Sequence, residues 1–192
     1  MERTTTALIG AALLAVTTTA NAQGYFSFDD IPGVDAEPTV EIDLNPAMLG
    51  WVTEAAKGAD VEEAQALAGI TNIRVRVYEG IGDDAEAMQK FVVDVSARLE
   101  RDGWERVVKV NEDGEQVRVY MKPLAAGATA APGSIAGIVV MVTDEGAGDE
   151  SVFINVAGTI QPEQLGRIGG QFGLNGMFNM VPGAVPPNTA AP

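Results

Sequence analysis

The chain has 192 residues, is 46% hydrophobic and carries a formal charge of −15 at pH 7, which suits one domain with a sizeable core. Such acidity repels polyanions, so nucleic acid and anionic lipid surfaces are not expected as partners. The sequence contains neither Cys nor His, which excludes disulfides, thiolate nucleophiles, Cys-ligated Fe–S sites and imidazole general bases, and takes away the commonest zinc ligand.

The first 22 residues read as a secretory signal peptide. Arg3 gives a positive start, residues 7–16 (ALIGAALLAV) form an apolar run, and Ala20-Asn21-Ala22 is a small-x-small cleavage site. The run is too short for a membrane-spanning helix, which needs about 20 residues. No lipid-anchoring Cys follows it, so the expected destination is periplasmic or secreted after cleavage near Ala22, without a membrane span or a lipid anchor.

Residues 23–38 read as a loop rich in Asp, Pro and Gly, with Tyr25, Phe26 and Phe28 able to tuck against the domain. Residues 39–44 form a first strand, with Val40, Ile42 and Leu44 on one face and Glu41 and Asp43 on the other. Asn45-Pro46 is an N-cap followed by a first helical position, opening a helix to about Lys57. Asp60 and Glu63 form a variant capping box that restarts a short helix ending at Gly69.

Residues 72–79 (NIRVRVYE) alternate without error: Ile73, Val75 and Val77 point one way, and Arg74, Arg76 and Tyr78 the other. A period of two marks a half-buried strand. Residues 85–101 follow as a helix, with Met88, Phe91, Val92, Val95 and Leu99 in one stripe, acidic residues at its start, Arg98 and Arg101 at its end, and Gly103 stopping it. Strands at 104–110 and 116–122 flank Asp113-Gly114, a strong hairpin signal. Residues 123–134 connect to strands at 135–143 and 150–158, the first apolar on both faces and therefore central. A short helix at 162–168 closes the domain, and residues 170–192 read as a flexible tail rich in Gly, Pro and Asn.

The resulting order is β-α-β-α-β-β-β-β-α. It predicts an α+β fold in which helices pack on one face of a mixed, mostly antiparallel sheet, with helical crossovers joining parallel or near-parallel neighbours. The domain boundaries are 39–169.

An acidic start to the first strand, AQALAGITNIRVRVYE (64–79), DGWERVVKVNEDGEQVRVYMK (102–122), IAGIVVMVTDE (135–145) and FINVAGTIQPEQLGRIG (153–169) succeed one another. This succession, over about residues 40–169, resembles the bacterial family called domain of unknown function 4252. The resemblance implies export, since members are typically exported, some as lipoproteins. It also implies signalling company, since some members are encoded near extracytoplasmic-function sigma factors and their anti-sigma partners. It supplies no functional residues.

The strongest site candidate from the residues is the outward sheet face: Arg74, Arg76 and Tyr78 on one strand, Arg118 and Tyr120 on another. Were the two faces to coincide in the open, they would form a docking surface for an acidic ligand or an envelope protein, because Arg and Tyr are enriched at interface hot spots. The plainer reading pairs these arginines across strands with Glu41 and Asp43, at about 0.2–1 kcal/mol per pair. The acidic turn at 144–150 lacks the alternating spacing of a calcium loop, and no metal or cofactor is expected. The four serines stand in no G-x-S-x-G or S-x-x-K context, and Trp51 and Trp104 read as core or core-rim residues. The expectation is an exported, non-enzymatic interaction module of the cell envelope. The alternatives are a His-free carboxylate hydrolase acting on envelope carbohydrate and a self-associating structural protein.

Overall fold

In the computed structural model of the chain, the described residues are 23–29, 37–59, 67–80, 84–112, 114–144, 150–161 and 164. They form β1 (Val40–Leu44), α1 (Pro46–Ala59), β2 (Ile70–Glu79), α2 (Ala85–Arg101), β3 (Glu105–Glu112), β4 (Glu115–Pro123), β5 (Ile135–Asp144) and β6 (Glu150–Ile160). This is the expected order up to the closing helix, which lies outside the described residues apart from Gln164. The expected signal peptide, the capping box at 60–63, the acidic turn at 144–150 apart from its two end residues, and the tail also lie outside them.

Local signals behave as the side chains dictate. Asn45 caps α1 by accepting the Met48 N–H at 3.0 Å. Gly103 ends α2 at φ +77°, with the Asp102, Gly103 and Trp104 N–H groups turned back onto the carbonyls of Arg98, Glu100 and Leu99. Glu112 pairs with Glu115, which closes the β3–β4 hairpin beside Gly114 at φ +93°.

The six strands form one sheet in the order β1-β2-β6-β5-β4-β3. All five pairings are antiparallel, which corrects the expected mixed sheet with parallel neighbours. The crossover through α2 carries the chain from β2 to the far edge, where β3 starts a meander that walks back until β6 pairs with β2. The two apolar strands β5 and β6 thereby take the centre, where both of their faces are buried.

Those two-faced central strands also explain why the helices do not share a face. On one side Tyr78, Tyr120, Val139, Met141 and Phe153 pack with Met88, Phe91, Val92, Val95 and Leu99 of α2. On the other, Val75, Val117, Val119, Val140 and Ile154 form an aliphatic cluster joined by Leu49 of α1. Expecting both helices on one face was wrong, because each apolar face of β5 and β6 needs its own cover. No described helix is long and apolar enough to cross a membrane.

Candidate functional site

The residues singled out in the sequence do share one sheet face, and the register sets four of them in two rows, with Tyr78 in a third beside Ser151. Tyr120, Val139, Asn155 and Arg74 lie side by side across β4, β5, β6 and β2, and Arg118, Met141, Phe153 and Arg76 form the next row. Two strands therefore separate the β2 group from the β4 group, roughly 14 Å at the usual strand spacing. The five do not converge on one point.

Nor is the face open. Tyr78, Tyr120 and Arg76 are buried, and Arg74 and Arg118 are partly so. This overturns the expected wet guanidinium surface. Two covers account for it: α2 and the N-terminal strap, residues 23–29.

Beneath α2, the Arg118 guanidinium donates to the Val92 carbonyl at 3.2 Å, the Ser96 hydroxyl at 3.0 Å and the Gln116 amide oxygen at 3.2 Å. Its Nε is buried without a hydrogen bond. Tyr120 is fully buried, with its hydroxyl 3.4 Å from Glu100. Arg118 and Tyr120 thus hold the helix to the sheet.

Over β6 and β2, the strap inserts Phe26 and Phe28, 4% and 2% exposed, with Phe28 against Phe153 and Phe26 against Phe28. Burying each ring is worth about 1.5–3 kcal/mol. Asn155, fully buried on β6, holds the strap backbone: it accepts the Phe26 N–H at 2.9 Å and donates to the Gly24 and Ile138 carbonyls at 2.9 and 3.1 Å. Gly24 is required there, because a Cβ would lie 1.8 Å from the Ala136 carbonyl oxygen.

The strap ends in an ion-pair network. Arg74 donates to Tyr25 at 3.0 Å, to Ser27 at 2.6 Å, and with both terminal nitrogens to Asp29 at 3.1 and 3.0 Å, while its Nε reaches Asp43. Arg76 reaches Asp43 at 2.7 Å and Glu41 at 2.8 Å. Glu41 and Asp43 stand directly opposite Arg76 and Arg74 in the β1–β2 register, so the cross-strand pairing legible in the sequence is present. Sequence reasoning missed Ser27, Asp29 and Asn155; alternation marks Asn155 only as one polar position in an apolar run.

The electrostatics follow from this geometry. The Ser27 hydroxyl first, and then Arg74, hold the Asp29 carboxyl below its usual range. At Asp43 partial burial works the other way, but hydrogen bonds from Arg74 and Arg76 outweigh it and the pKa is lowered. Burial opposes the charge on Arg74 too, and the two aspartates overcome it and raise its pKa. Burial pushes the Tyr78 phenol upward against the pull of Arg76. Beside the network lies a shallow recess of about 300 Å³ lined by Tyr25, Asp43, Leu44, Asn45, Asn72 and Arg74. Its one cation is already engaged by two carboxylates, so it offers an anionic ligand no spare charge.

The fold also leaves several large apolar side chains exposed. Trp51, expected in the core or at its rim, is 74% exposed, whereas Trp104 is buried as expected. Leu49 takes the inward position of α1, and residue 51 lies about 200° further round the helix, which turns Trp51 outward. Met48 and Val52 of α1 and Val40 and Ile42 of β1, which α1 touches beside β2, are also exposed. These five exposed apolar side chains stand on two adjoining elements, and apolar surface left in water is what marks interaction sites.

Comparison with curated proteins and with solved structures yields no match. A family model does match, over residues 33–168, which takes in the whole sheet and both helices. The chain therefore belongs to the DUF4252 family, a domain of unknown function.

Proposed function

We propose that the protein is an exported interaction module of the bacterial cell envelope, accessory to envelope signalling, that docks a partner through the apolar surface of α1 and β1. The observation that carries this reading is Trp51, a 74% exposed tryptophan flanked by exposed Met48 and Val52 on a protein otherwise rich in surface charge. Tryptophan is the residue type most enriched at binding hot spots. The Arg/Tyr sheet face is set aside as the docking surface, because its arginines and tyrosines serve α2 and the strap.

Nothing in the described residues favours the hydrolase alternative. A glycosidase needs one carboxyl kept protonated by a raised pKa. Of the carboxylates that cluster here, Asp29 is shifted downward by the Ser27 hydroxyl and then Arg74, and Asp43 is shifted downward by Arg74 and Arg76 against partial burial.

The test is affinity capture from periplasmic extract on immobilised wild-type, Trp51→Glu and Arg118→Met proteins. A partner retained by the wild type and by the folded Arg118 variant, but lost with Trp51→Glu, supports the reading. Identical retention on wild type and Trp51→Glu refutes it.

A further inference from the structure

The two edges of the sheet are not alike. The β3 edge is guarded: its register shifts between Arg106 and Val108, and Lys109 follows, so a bulge and a basic residue discourage a further strand. The β1 edge, VEIDL, has no proline, no basic residue and no bulge, and pairs in regular register from Val40 to Leu44. Among the described residues no strand lies beyond it.

The two faces flanking that edge differ in chemistry. On the α1 side stand Val40 and Ile42, 41% and 39% exposed. On the strap side stand Glu41 and Asp43 with Asp29 behind them, their side chains 57%, 41% and 53% exposed. These three carboxylates meet two guanidiniums, Arg74 and Arg76, so the rim keeps one negative charge in excess.

We infer that the β1 edge accepts an extended segment of the partner as a seventh strand, and that this segment alternates aliphatic and basic residues. This rests on the proposed docking role and specifies its mode. Added strands gain affinity from main-chain hydrogen bonds and specificity from alternate side chains. A segment of period two would lay its aliphatic residues beside Val40 and Ile42 and its Lys or Arg residues beside Asp29, Glu41 and Asp43. A second copy of this chain fits poorly. Pairing β1 with β1 about a two-fold axis would bring Glu41 and Asp43 of both copies onto one face, in chains that each carry −15.

The probe is a synthetic heptapeptide alternating lysine and isoleucine, with two controls: the same composition in block order, and an alternating glutamate–isoleucine peptide. Backbone amide shifts and hydrogen exchange are read by NMR on the full chain. The expected result is protection of β1 amides, none at β3, and binding at least about tenfold weaker for both controls and for the edge variants Ile42→Lys and Val40→Lys. Unchanged β2–β6 amides certify that those variants fold. Absence of β1 protection, equal binding of the block-order peptide, or protection at β3 overturns the inference. So does a β1 edge already protected in the free protein, whether by residues of the same chain or by a second copy detected by sedimentation. If Trp51-dependent capture persists while the peptide leaves β1 unaffected, the strand mode fails and the docking role stands; if capture is independent of Trp51, the docking role fails.

Discussion

Asn155→Ala isolates the contribution of one side chain to the cover over the sheet. Asn155 is fully buried, and its amide holds the Phe26 N–H and the Gly24 carbonyl of the strap at 2.9 Å each. Truncation removes both partners from backbone groups that water does not reach. An unsatisfied buried group costs about 1–3 kcal/mol, so two imply about 4 kcal/mol in total. The Ile138 carbonyl, at 3.1 Å, belongs to a strand paired on both sides and loses less. Against a typical total of about 5–15 kcal/mol this is a large fraction. With a urea slope near 2 kcal/mol/M, the unfolding midpoint should fall by about 2 M. The chain can limit the loss by releasing the strap, so chymotrypsin cleavage at Phe26 and Phe28 should be measured alongside. A midpoint shift under about 0.5 M with the strap still protected would refute the assignment of Asn155 as the clamp.

Three further outcomes follow from the same geometry. Asp29 and Asp43 have lowered pKa values when folded, so their contribution is complete above the unfolded value of about 3.9 and is lost as pH falls through the folded values. The stability gap between wild type and Arg74→Met should accordingly hold steady from pH 7 to 5 and shrink below about pH 4 in urea titrations; a gap unchanged at pH 3 contradicts the network. Gly24→Ala should expel the strap and expose it to chymotrypsin, because its Cβ would meet the Ala136 carbonyl oxygen at 1.8 Å; unaltered protection would mean that the strap does not cross β5 so closely. Trp51→Phe should change stability by less than about 0.5 kcal/mol and leave the blue-shifted emission of buried Trp104, whereas a marked loss of stability would place Trp51 in the core after all.

The strands, the second helix with its glycine stop, and the sidedness of β2 are legible along the chain, because period and capping are properties of neighbouring residues. The sequence also made the pairing of Arg74 and Arg76 with Asp43 and Glu41 legible, since opposite charges on adjacent alternating strands have few other places to go. Tertiary structure alone decided that the Arg/Tyr face is covered. Arg118 looks the same in sequence whether it meets water or the Val92 carbonyl, and only the path of α2 across the sheet separates the two. The same holds for the tryptophans. Trp104 follows a helix stop and turns inward, while Trp51 lies about 200° around its helix from Leu49, and which of those faces the sheet depends on how α1 docks. Strand order is the most non-local choice of all. It follows from burying both faces of β5 and β6 at once, a demand the whole chain meets and no short segment records.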